Sequence, residues 1–125
     1  MYGSFDISGS GLQAQRVRLD AISSNLANQE TPEFQKIVVQ FAQGDPQSGN
    51  PLGVHIEGIE RIPSFAPVYE PDNPQARADG NVYYPDIDYT EMMVDAIEAL
   101  RAYEANIQAV EATRSIIDSA LRVIA

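Results

Sequence analysis

The stretch SSNLANQETPEFQK, residues 23–36, decides how the chain divides. Upstream of it apolar residues recur at helical spacing. Downstream, FQKIVVQF (34–41) alternates and then becomes a β-branched run, the pattern of a strand. The boundary carries two short amides, Asn25 and Asn28, followed by Thr31-Pro32. Asparagine tolerates the left-handed backbone of a helix end, and its amide reaches carbonyls that a last turn leaves open. Both asparagines are therefore expected to bond those carbonyls. Pro32 excludes the helical region for Thr31, so a helix running from about residue 5 to about residue 28 stops here and the chain turns toward strands.

In that first helix Phe5, Leu12, Leu19 and Leu26 fall seven residues apart and Ile22 joins their face, while Ile7, Ala14 and Ala21 widen the stripe. Arg16 and Asp20 form an i,i+4 pair on the polar side. Gly9 and Gly11 each cost about 0.8–1 kcal/mol relative to alanine, so the helix needs a partner.

A second heptad pattern occupies the other end. Met93, Leu100, Ile107 and Leu121 repeat at one position, and Ala96, Tyr103, Val110, Ile117 and Ile124 at another, with Arg114 as the interruption. Sustained 3-4 alternation is the sequence form of a coiled-coil seam. A helix from Asp88 to Ile124 spans about 55 Å. Asp88 is placed to cap it with Glu91 three residues on, and Pro85 stands outside. Glu98 with Arg101, Glu111 with Arg114, and Asp118 with Arg122 are spaced to pair along its outer face.

Residues 34–85 hold seven of the eight prolines and five of the eight glycines, which excludes a long helix. GVHIEGI (53–59) reads as a strand with a bulge at Gly58; APVY (66–69) and NVYY (81–84) are expected to pair across a loop whose Asp79-Gly80 is a turn signal. The fold class is α+β: long N- and C-terminal heptad helices forming a coiled-coil-like unit around a small β-rich middle, with segments 1–33, 34–87 and 88–125. The middle is too small to cover both apolar seams, so the helices pack on each other or on other chains.

Composition narrows the function. The 125 residues make one domain, and 18 acids against 8 bases give a net charge of −10, which argues against nucleic acid because phosphates require clustered Lys and Arg. Lys36 is the sole lysine and no apolar run approaches a membrane span, so membrane insertion is not expected. The opening MYGSFDISGSGLQAQRVR has neither the basic region nor the apolar core of a cleaved secretory signal. Cysteine is absent, and there is no Ser-His-acid set, phosphate-binding glycine loop or metal-ligand cluster; the expectation is a non-enzyme with no cofactor and no metal. His55 reads as a surface strand residue. Glu70, Asp72, Asp79, Asp86 and Asp88 lack EF-hand spacing and read as a solvated loop. Residues 32–87 carry eight acids against three bases, a repulsion that would limit premature self-association.

Asn25, Leu26, Ala27, Asn28, Thr31, Pro32 and Phe34 resemble the Asn-Leu-Ala-Asn, Thr-Pro and aromatic signature that closes the first helix in bacterial flagellar rod and hook proteins. VYEPDNPQARADGNVYYPDIDYTEMM (68–93) and RAYEAN (101–106) resemble a proximal rod component of that family. Glu33 stands where the family more often has glycine, and residues 41–53 carry no recognisable family feature.

The resemblance implies a structural subunit of the flagellar basal body, exported through the flagellar type III pathway without a cleaved signal and assembled in the periplasm with itself, other proximal rod proteins and the distal rod. In this family the terminal helices form an inner domain lining an axial tube, with termini that order on assembly. Phe5, Leu12, Leu19, Ile22, Leu26, Met93, Leu100, Tyr103, Ile107, Val110, Ile117 and Leu121 are then candidates for contacts within the chain, between subunits, or both. Arg114 either snorkels at the surface or fixes register against an acid on a neighbour. The alternatives are another rod component or a small acidic export chaperone, the latter disfavoured by the proline-rich middle.

Overall fold

Two helices frame four strands in the computed structural model, which describes the backbone of residues 2–45 and 50–124 and the side chains of 9–43 and 55–124. The order is α1 (Tyr2–Ala27), β1 (Lys36–Asp45), β2 (Asn50–Ile62), β3 (Phe65–Tyr69), β4 (Asn81–Pro85) and α2 (Tyr89–Ile124). At 1.5 Å per residue the 26-residue α1 spans about 39 Å and the 36-residue α2 about 54 Å. Asp88 caps α2 as its position predicts: its Oδ1 accepts from the amides of Thr90 at 2.9 Å and Glu91 at 3.3 Å.

The helices pack antiparallel. Gly11 lies against Asn106, Arg18 against Asp95 and Glu98, and Asn25 against Met92. A β-carbon at Gly11 would come within 2.8 Å of Asn106 Nδ2, so the helix surfaces meet closely there. Buried on α1 are Gly11, Ala14, Ala21, Ile22 and Asn25; on α2, Met92 and Ala99. Gly11, Ala14, Ala21 and Ala99, together with Ile22 and Met92, therefore form the inner seam, whereas Leu12, Leu19 and Leu26 flank it half-buried. Helices approach most closely where side chains are small, and larger ones splay to the sides.

The strands form two separate two-stranded antiparallel sheets, β1–β2 and β3–β4. In the first, Gln40 pairs with Gly58 and Phe41 with Ile56, leaving Glu57 as the extra residue of a bulge beside the glycine that signals it. The stretch without family features lies here, where β1 continues to Asp45 and β2 begins at Asn50. The second sheet runs from Phe65 opposite Pro85 to Tyr69 opposite Asn81, as the sequence pattern requires. Its turn depends on Gly80, which has φ +81° and whose β-carbon would sit 2.8 Å from the Tyr69 ring. His55 lies on β2 opposite Ala42, half-buried and not on the open surface expected for it.

Candidate assembly surface

The signature at the end of α1 acts as a clasp. Asn28 follows the helix-end expectation: its Nδ2 donates to Ser24 O at 2.8 Å, and its Oδ1 accepts from Thr31 Oγ1 at 3.1 Å. Asn25 does not. Its side chain is 1% exposed and faces β1, where Nδ2 donates to Ile37 O at 2.9 Å and Oδ1 accepts from Ile37 N at 2.8 Å. The carboxamide thus takes the place of a neighbouring strand, satisfying both backbone groups of one residue on the edge of β1. Asn25 lies in the last turn of the helix on the side that faces β1, so its amide meets a distant partner.

The turn after Pro32 is fixed from the other side. Glu33 has φ +63°, the left-handed region that a family glycine would enter without strain. Its amide donates to Tyr83 O at 2.7 Å, and its Oε1 accepts from Arg77 Nε at 2.7 Å and from Arg77 Nη2. Arg77 lies over the Tyr83 ring at 4.2 Å from its centroid, and the Tyr83 hydroxyl donates to Asp79. Acceptance by the Glu33 carboxylate raises the Arg77 pKa, the hydrogen bond donated by Tyr83 holds Asp79 below its ordinary range, and acceptance by Asp79 pushes Tyr83 up. Glu70 likewise raises Tyr84, whose hydroxyl it accepts at 2.8 Å.

Beyond the clasp, α2 presents apolar surface in two stripes. Ala96, Tyr103, Ile107, Val110 and Ile117 are half-buried on the side toward α1. Met93 and Leu100, from the other heptad set, are exposed and align with Tyr89 and Ile97 in a lateral ridge. One residue turns a helix by about 100°, so this ridge stands about a quarter-turn away from Met92 and Ala99. Toward the C-terminal end of α2 the exposed large apolar residues are Ile116, Leu121, Val123 and Ile124, the last two more than 80% exposed. The antiparallel register accounts for them. Nine residues of α1 precede Gly11 whereas eighteen of α2 follow Asn106, so α2 projects about 13 Å past the start of α1.

Arg114 is exposed, and among the described residues no ion pair holds it. Nor do the expected pairs along the helices form: Glu98 instead reaches Arg18 of α1 at 3.7 Å, with Asp95 at 3.9 Å. Arg18 points across the seam, where the facing acids of α2 offer it two carboxylates, whereas pairing along one helix satisfies only one. Phe5 lies outside the described side chains. Of the remaining signature residues Pro32 and Phe34 are half-buried, and Ala27 and Thr31 exposed. Among the described residues, no three His, Asp or Glu side chains are grouped to hold a metal ion, and no helix is long and apolar enough to cross a membrane.

The parts of the chain that build this surface are those that match known proteins. The profile for the flagella basal body rod protein family matches residues 5–35, and that for the C-terminal region of flagellar basal body rod FlgEFG proteins matches residues 78–123. Similar along nearly their whole length are the flagellar basal-body rod proteins FlgC of Aquifex aeolicus, 38% identical with 94% of this chain and 92% of the relative covered, and of Bacillus subtilis, 34% identical with 98% and 97% covered. FlgC of Salmonella typhimurium is 38% identical, covering 90% of this chain and 89% of the relative. The C-terminal profile is shared among rod proteins, whereas these end-to-end matches are specific: the chain belongs to the FlgC family of flagellar basal-body rod proteins, which are structural proteins and not enzymes.

Proposed function

We propose that this chain is a subunit of the proximal rod, assembling with copies of itself and with neighbouring proximal and distal rod proteins into a helical tube that transmits torque and lines the export channel. Segments 1–33 and 88–125 form the inner axial domain of that tube, coiled-coil-like in its contacts, and segment 34–87 lies farther out. The subunit reaches the periplasm through the flagellar export apparatus.

The observation that carries this reading is the apolar surface of α2 that α1 leaves uncovered: the ridge Tyr89, Met93, Ile97 and Leu100, and the projecting end with Ile116, Leu121, Val123 and Ile124. Ridge and projecting end are different surfaces, and a contact between unlike surfaces whose rotation does not close propagates into an open helical assembly. Burying one such side chain stabilises by roughly 1.5–3 kcal/mol.

The test is deletion of the gene, with swimming assayed and purified basal bodies imaged, followed by complementation with Ile97→Glu or Leu100→Glu. Both positions are about half exposed, so the variants should keep the helix by circular dichroism. The expectation is rods stopped at their proximal end in the deletion strain and no rescue by either variant. Complete rods in the deletion strain would sink the reading.

A further inference from the structure

We infer that Glu33 and Arg77 form a latch that fixes the β3–β4 hairpin to the exit of α1, and that Arg77 holds Glu33 in a backbone conformation the residue otherwise leaves. The β3–β4 hairpin shares no ladder with β1–β2, so its orientation rests on its short covalent links and on what it touches elsewhere. At the α1 exit it is attached twice through one residue: the Glu33 amide donates to Tyr83 O at 2.7 Å, and the Glu33 carboxylate accepts from the Arg77 guanidinium.

The two attachments depend on each other through the backbone. The φ angle of Glu33 sets the direction of its amide relative to its side chain, so the bond to Tyr83 O and the pair with Arg77 are made together at +63°, a region that a non-glycine residue enters against the clash of its β-carbon. Relaxation to negative φ re-aims the two sides of the Glu33 Cα against each other, which loosens the bond to the hairpin. What opposes relaxation is the ion pair, which engages the side chain of the same strained residue. Arg77 is itself preset for this role. Its guanidinium lies over the Tyr83 ring, its amide donates to Asn81 O at 3.0 Å, and Tyr83 is anchored through its hydroxyl to Asp79.

Both partners are about half exposed, at 52% each, so water and salt weaken the pair. An exposed pair and a left-handed strain are of similar size, which makes the closed state responsive to ionic strength and to a single residue. A passive surface ion pair would leave the Glu33 amide indifferent to both. Opening re-aims the hairpin and loop 70–80 while the helix pair stays as it is.

Amide hydrogen exchange by NMR on the full-length chain tests this. Arg77→Ala should speed exchange of the Glu33 amide by about tenfold or more, with α2 amides around Ala99 unchanged; raising the salt from about 0.05 to about 0.5 M should move the wild-type Glu33 amide in the same direction. Arg77→Lys should fall between, since an ammonium lacks the planar fork. Adding Glu33→Gly to Arg77→Ala should restore protection, because glycine holds the turn without strain. If Arg77→Ala leaves Glu33 exchange within about twofold of wild type, the pair is passive and the latch is overturned. If the double variant exchanges as fast as Arg77→Ala alone, strain at Glu33 does not drive opening, and the coupling is overturned.

Discussion

Replacing Asn25 by alanine removes the one side chain that satisfies both backbone groups of Ile37. The Ile37 N–H at 2.8 Å and C=O at 2.9 Å point at Asn25, hence away from β2, so no ladder partner can replace it. A buried polar group left unpaired costs about 1–3 kcal/mol. Ile37 is half-buried and gains some water, so the lower part of that range applies twice, and the expected loss is about 2–4 kcal/mol. Against a total of roughly 6–19 kcal/mol for a chain of this length this is a large share, and it corresponds to a fall in Tm of about 10 °C. Urea and thermal unfolding followed by circular dichroism give the global value, and exchange of the Ile37 amide gives the local one. Asn25→Asp separates the two bonds. The carboxylate still accepts from Ile37 N–H but sets an oxygen against Ile37 O, and burial raises its pKa above the ordinary Asp value. With the folded pKa raised, the stabilising protonated form is fully present below about pH 4 and is lost as pH rises through the raised value. Asn25→Asp should therefore approach wild type in acid and fail at neutral pH. A Tm within about 2 °C of wild type for Asn25→Ala, with Ile37 still protected, would refute the clasp.

Three further substitutions probe other joints. Gly80→Ala forces an L side chain to φ +81° and into the Tyr69 ring, and should destabilise the β3–β4 hairpin by about 1–3 kcal/mol in thermal unfolding. Gln15→Met should raise stability by about 1 kcal/mol, because Gln15 Oε1 is a buried acceptor with no partner among the described residues; a lower urea midpoint would contradict that. Tyr83→Phe removes the hydroxyl that is the main cause of the lowered Asp79 pKa. A depressed folded pKa means that the stabilisation is present above the ordinary value of 3.8 and is lost as pH falls through the lower folded value. In Tyr83→Phe the Asp79 carboxyl should titrate nearer that ordinary value, measured by carbon NMR of the side chain.

What the sequence made legible is local. The stop after Asn28, the Asp88 cap, the bulge beside Gly58 and the turn at Gly80 each follow from a residue type and its immediate neighbours. Contacts between distant residues were not legible. Asn25 meets Ile37 twelve positions away, and Glu33 meets Arg77 forty-four away; no periodicity encodes either. Glu33 did carry a signal, being a non-glycine in a position where glycine is usual, but only the fold shows which cation compensates it. Arg16 and Arg18 are two residues apart on one helix, and spacing alone favoured Arg16 with Asp20; it is Arg18 that faces α2.

The heptad pattern shows most clearly why such reading stops where it does. Periodicity ranks positions by side-chain size, and so places Leu12, Leu19, Met93 and Leu100 at the centre of a seam. Packing also ranks them by how closely two backbones approach, and so buries Gly11, Ala14, Ala21 and Ala99 beside the larger Ile22 and Met92. The two criteria agree in a coiled coil of large knobs in holes, but they diverge when small residues recur at the same spacing one step around the helix. For a subunit proposed to assemble, that divergence has a use. A seam filled by the largest residues would leave little apolar surface for neighbours, whereas an alanine seam joins the two helices and leaves Met93, Ile97 and Leu100 outside. Association costs on the order of 4–15 kcal/mol in lost freedom, and a few side chains at about 1.5–3 kcal/mol each offset that only when several are buried together. Substituting one ridge residue by glutamate should therefore abolish assembly and not merely weaken it, while leaving the alanine seam, and with it the unfolding curve of the free subunit, unchanged.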